Sequence, residues 1–163
     1  MKKLSLIAVA LFGLYFMTQA QSSSSVSQTV TLNLQNGINI GINSASGTSF
    51  TFATTSDYQN GESNLNASTF QVSSNRPWAV TVAAATANFS GPAAPSPVMP
   101  STVLGVRLNG GASYTALSTT AAALTSGARG GNNTFTVDYN ANPGFSYDAG
   151  TYSLAVVYTA TQQ

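Results

Sequence analysis

Histidine and cysteine are absent from this chain, and its two lysines, Lys2 and Lys3, both sit at the extreme N-terminus. Past that leader the charged residues are Arg76, Arg107, Arg129, Asp57, Glu62, Asp138 and Asp148. Acid–base, nucleophilic and transition-metal chemistry draw mainly on His, Cys, Lys and clustered carboxylates. The composition therefore points away from an enzyme, and no catalytic, cofactor-binding or metal-binding residue is assigned. Three arginines against four acids leave no basic cluster for phosphates, which excludes a nucleic-acid partner. The same balance gives no electrostatic grip on a membrane, and a net charge near zero favours self-association. Without cysteine, stability has to come from packing and backbone pairing.

The N-terminus has the layout of an export signal. Lys2 and Lys3 precede an apolar stretch from Leu4 to Met17, and Thr18-Gln19-Ala20 supplies small residues for a signal peptidase. The stretch is shorter than the roughly 20 apolar residues of a membrane span, so a membrane-spanning chain is not expected. Cleavage is expected between Ala20 and Gln21, with secretion or cell-surface placement as the outcome. The chain then divides into a signal peptide at 1–20, a serine-rich tether at 21–25 and one β domain at 26–163.

Strand patterning dominates the rest. Val30, Leu32 and Leu34 alternate with polar residues, as do Ile38, Ile40 and Ile42, which is the period of a strand with one buried face. Asn36-Gly37 between them is either a type I′ hairpin turn or a bulge, and two short, nearly continuous strands fit best. Further strands are expected at Ser49–Ala53, Ser68–Ser73, Trp78–Ala84, Thr102–Leu108, Ser113–Leu117, Thr134–Tyr139 and Thr151–Thr161. Turn residues separate them, among them Asn60-Gly61, Asn75-Arg76-Pro77 and Asn109-Gly110-Gly111. Gly91–Ser101 holds four prolines and is expected to loop. Ser118–Gly131 is a second loop, in which Thr120–Leu124 forms either a short strand or one helical turn. The fold class is all-β: a single Ig-like or pilin-like antiparallel β-sandwich of about seven to nine strands.

Several features invite chemistry and have plainer explanations. Asp57 to Glu62 places oxygens around a glycine, but a calcium loop needs more acidic ligands at fixed spacing; a solvated Asn-Gly turn explains it. Asp138 and Asp148 would be the pair for a two-carboxylate hydrolase. Asp138, between inward Val137 and Tyr139, is expected to point outward into solvent, and Asp148 to precede a turn. Tyr58, Tyr114 and Tyr147 offer rings for a sugar, with ordinary strand or loop tyrosines as the better account. Asn66-Ala67-Ser68, Asn88-Phe89-Ser90 and Asn132-Asn133-Thr134 match the glycosylation triplet, a cheap match in a chain this rich in Asn, Ser and Thr. Trp78 opens a strand whose inner face continues with Val80 and Val82, so it is expected in the core.

Two segments carry a resemblance. Asn75-Arg76-Pro77-Trp78-Ala79-Val80-Thr81-Val82 and the C-terminal Ala149-Gly150-Thr151-Tyr152-Ser153-Leu154 stretch resemble small secreted bacterial β-sandwich surface proteins. These are the WxL-like and spore-coat-U-like, pilin-like modules with an "AGTY" entry to the last strand. The chain differs from the first in reading Trp-x-Val at Trp78 and from usher pilins in lacking a disulfide. The resemblance implies fold and surface location and no functional residue. The expected function is an exported structural subunit of the cell surface or extracellular matrix, assembling into filaments by β-strand addition through Val26–Ile42. The alternative is a secreted glycan- or cell-wall-binding module.

Overall fold

Alternating apolar residues form two antiparallel sheets because each strand has one face to bury. In the computed structural model, residues 22–46, 48–93 and 97–163 are described; the expected signal peptide lies outside them. The chain divides into a unit ending at Asn33 and a β unit, Leu34–Gln163. In the first, residues 22–33 form no helix or strand.

The β unit runs β1 (Ile38–Ala45), α1 (Thr55–Asn60), β2 (Glu62–Ser74), β3 (Trp78–Ala84), β4 (Leu104–Leu108), β5 (Thr115–Ala116), β6 (Ala122–Gly127), β7 (Gly130–Ala141) and β8 (Val156–Gln162). A five-stranded sheet has the order β1-β2-β7-β4-β5, and a three-stranded sheet has the order β6-β3-β8. This is the expected all-β sandwich, with eight strands among the described residues. Phe70, Val72, Val106, Val137 and Tyr139 of the larger sheet form its core with Trp78, Val80, Val82 and Ala84 of the smaller. The Tyr139 and Tyr158 hydroxyls, 2.6 Å apart, tie the sheets together across that core. Burial pushes both phenols up from their ordinary value. Trp78 is buried, as expected, and its Nε1 donates to the Ala128 carbonyl at 2.9 Å.

Several segments differ from the sequence expectation. Val30–Leu34 is not a strand, whereas Ile38–Ala45 is. Asn36-Gly37 makes no type I′ turn: Gly37 is not in the left-handed region that such a turn requires. The bulge in β1 falls instead between Ile42 and Ser44. Ser49–Ala53 joins no sheet, yet Phe50 and Phe52 still pack on the core. Asn60-Gly61 closes α1 rather than a hairpin. A capping box at Thr54 and Asp57 starts that helix, and Gly61 at φ 74° ends it. Of the two readings of Thr120–Leu124 the short strand is the one found, shifted to Ala122–Gly127 as β6.

The two open flanks of the sandwich are treated differently. On one, the chain itself crosses between sheets: Leu117 N donates to Leu104 O, and Ala84 N donates to Ser118 O. Leu117 is buried there and seals the flank. On the other flank β1 edges one sheet and β8 edges the other, and neither has a second strand partner among the described residues.

Candidate functional site

The carboxylates are placed apart in role. Asp57 is the N3 residue of α1; its carboxylate accepts from the Thr54 hydroxyl and from the N–H groups of Ala53 and Thr54 at 2.7–2.8 Å. Those bonds hold its carboxyl below the usual range, the Thr54 hydroxyl contributing most. Asp138 corrects an expectation. Its side chain lies opposite Val137 and Tyr139, but its exposure is 0% rather than that of a solvated strand acid. The β2 bulge between Asn64 and Ser68 turns Asn66 over it in a left-handed conformation, φ 54°. Asn66 N–H, Asn109 Nδ2 and Arg107 Nε then donate to it at 2.9, 2.9 and 3.0 Å. Burial alone would raise its carboxyl; the three donors and the Arg107 charge outweigh this and leave it lowered. Arg107 is itself held by the Gly111 carbonyl and by the Tyr114 ring, 4.3 Å from its guanidinium carbon. Asp138, Arg107 and Tyr114 thus form a satisfied structural cluster. Sequence reasoning missed it because nothing in the local pattern of β7 announces a bulge in β2.

At the pole where β8 begins, a cleft of about 470 Å³ is lined by Phe50, Phe52, Tyr58, Phe89, Tyr147 and Tyr152, together with Asp148. Tyr58 sits between Phe52 and Phe145, its ring centroid 5.4 Å from each. The cleft gathers two of the three tyrosines singled out from the sequence, while Tyr114 lies under Arg107.

The most unusual feature is the entry to β1. Val26, Val30, Leu32 and Leu34 are 99, 77, 80 and 87% exposed. Large apolar side chains at alternate positions of a backbone that forms no strand have the pattern of a sheet strand without its partner. The chain then becomes anchored through side-chain amides. Asn75 Nδ2 donates to Gln35 O at 2.7 Å, and Gly37 N donates to Asn75 Oδ1 at 3.0 Å. Gln162 Nε2, reaching from β8, donates to Gly37 O at 2.9 Å and to Asn75 Oδ1 at 2.9 Å. This clasp pins β1 to β8 at one end of their shared flank.

Along the rest of that flank the sandwich is incompletely covered. Ile38, Ile40 and Ile42 pair with Ser74, Val72 and Phe70 and so share the inward face, yet Ile42 is 64% exposed. In β8 the side chains of Val156, Tyr158, Ala160 and Gln162 alternate inward. Gln163 N donates to Pro77 O and Ala85 N to Ala155 O, so odd-numbered residues of β8 turn their backbone toward β3. By the antiparallel pattern, the N–H and C=O groups of 156, 158, 160 and 162 point to the uncovered edge. An exposed edge of this kind is a template for strand pairing.

A scan against protein-family models and a search of curated proteins find no match to the chain. Among the described residues no helix is long and apolar enough to cross a membrane.

Proposed function

We propose that this protein is an exported structural subunit of the cell surface or extracellular matrix that assembles by β-strand addition and has no catalytic role. The observation that carries the reading is the run Val26, Val30, Leu32 and Leu34, whose apolar side chains alternate in solvent with no sheet to join. A monomer rarely exposes such a row, and a row of this kind marks an interaction surface. Its period matches a sheet edge, where main-chain bonds give affinity and alternate side chains give specificity. The absence of charge from Val26 to Ile42 removes the usual protection of an edge segment against pairing. The expected location follows from the leader at 1–20, and the expected lack of catalysis from the missing His, Cys and Lys.

The test is the solution mass of the mature protein, residues 21–163, over a concentration series, beside a chain lacking Gln21–Gln35. Polymers from the first and a folded monomer from the second support the proposal. A mature chain that stays monomeric at high concentration refutes it. Glycan recognition is the second reading, favoured by the aromatic cleft beside Asp148; it predicts retention of the monomer on a polysaccharide gel.

A further inference from the structure

We infer that the acceptor for Val26–Leu34 is the β8 edge of a second copy, entered antiparallel to β8, so that assembly runs head to tail and stays open. The inference rests on the proposed strand-addition function and adds to it which edge, which direction and which symmetry.

Four edges compete, those of β1, β5, β6 and β8. The β5 edge is two residues long, and the flank between β5 and β6 is sealed by the crossing at Leu117. The β1 edge continues directly from the donor segment, and Gln35 and Gly37 are held by Asn75 and Gln162. The β8 edge has outward-pointing backbone groups and borders the same incompletely covered interior as β1, without the Gln35–Gly37 stretch that leads into β1 at the clasp. The strand itself, Val156–Gln162, has seven residues and spans most of the nine of Val26–Leu34.

Side-chain parity sets the register. The inward residues of β8 and the apolar residues of the donor are all even-numbered, so the two sets share a face only when even pairs with even. The antiparallel register that matches both ends sets Leu34 against Leu154, Leu32 against Val156, Val30 against Tyr158 and Gln28 against Ala160. Leucines then lie at the end where Ile42 is most exposed, and smaller or polar groups approach the clasp. Outside, Ser27, Thr29 and Thr31 face Thr161, Thr159 and Val157, all exposed.

Direction decides symmetry. The donor segment leaves its own domain at the clasp, beside Gln162. Antiparallel entry puts Leu34 at the opposite, Leu154 pole of the acceptor. Only three residues, roughly 10 Å of extended chain, then separate Leu34 from the donor's own β1. The clasp pole of one copy therefore meets the cleft pole of the next. Unlike poles make a heterologous contact, which repeats without closing unless the rotation forms a ring. Parallel entry would bring two clasp poles together and favour a closed, reciprocal pair. It would also drive the incoming Gln35–Gly37 toward the place already held by the acceptor's own.

The absence of native cysteine makes a direct test clean. Ser27→Cys is combined in turn with Ala155→Cys, Val157→Cys, Thr159→Cys and Thr161→Cys in the full mature chain, and each variant is oxidised and run without reductant. Directly opposed residues in a ladder lie 4.5–5.5 Å apart between Cα atoms, within disulfide range. The expected result is a ladder of covalent multimers with Thr161→Cys or its neighbour Thr159→Cys and none with the other two. Ladders or dimers from Ala155→Cys or Val157→Cys overturn the direction. Polymers that crosslink with none of the four overturn the β8 assignment, as does a monomer crosslinked within itself. A chain that never polymerises defeats the proposed function instead.

Discussion

Replacing Leu32 with aspartate separates folding from assembly. Leu32 is 80% exposed in the protein, so the substitution removes almost no packing, and exposed sites of this kind change stability within about 0.5 kcal/mol. In an assembled copy the same side chain leaves water. Burying a leucine contributes about 1.5–3 kcal/mol, and placing a carboxylate there without a partner costs at least as much again. The combined penalty is about 4 kcal/mol, or roughly a thousandfold in the association constant at 1.4 kcal/mol per factor of ten. Ordering the segment costs the same in both chains and cancels from the difference. The assay is paired: thermal unfolding of the monomer at low concentration, and sedimentation across a thousandfold concentration range. Unchanged melting with lost assembly is the expected result. Assembly at the wild-type concentration would refute burial of this face, and a large fall in melting temperature would show that Leu32 already packs within its own chain.

Four further outcomes follow from the fold. Trp78→Ala removes a buried indole and its bond to Ala128, and should cost about 3–5 kcal/mol in denaturant unfolding; an unchanged midpoint contradicts a core role. Gly127→Val should be harmful too, because a Cβ there would lie 2.4 Å from Trp78 Cζ2; a variant as stable as the parent shows that the ring can yield. Asp138→Ala leaves Arg107 without its carboxylate and should cost about 3 kcal/mol, the low end for breaking a buried pair because Arg107 keeps some contact with water. Asp138 and Asp57 both titrate below their ordinary value in the folded chain, so their stabilisation is fully present above about pH 4 and is lost as pH falls through the lower folded values. A plot of melting temperature against pH should drop on that acid side and flatten in Asp138→Asn.

The sheets were legible because burial writes itself into alternation. Trp78–Ala84 is a strand with the expected bounds and inward residues, and Phe70, Val72, Val137 and Tyr139 occupy the core faces their spacing predicts. Ala122–Gly127 was legible only in part: a short strand at Thr120–Leu124 was one of two readings of the loop, since Ala-Ala-Leu-Thr-Ser-Gly carries little apolar contrast besides Leu124, which packs on the core. The capping box at Thr54 and Asp57 was present in the letters, but the adjoining Asn60-Gly61 pattern argued for a turn. Asp138 was placed on the correct face and in the wrong medium, because the bulge that covers it belongs to another strand.

Val26–Leu34 presents the opposite case, in which local pattern and the isolated chain disagree. Its alternation is as regular as that of β1, yet it joins no sheet, while the inward face of β1 stays exposed at Ile42. A two-residue hairpin at Asn36-Gly37 would pair Leu34 with Asn39 and turn the leucines onto the face opposite Ile38 and Ile40. A three-residue loop restores the face but needs a left-handed residue, and Gly37 is not in that region. Asn75 and Gln162 hold Gln35 and Gly37 instead, and no hairpin turn forms at Asn36-Gly37. The segment and the β8 edge each lack what the other supplies: alternating side chains without a sheet, and a sheet edge without its next strand. That complementarity within one sequence is the physical argument for assembly between copies.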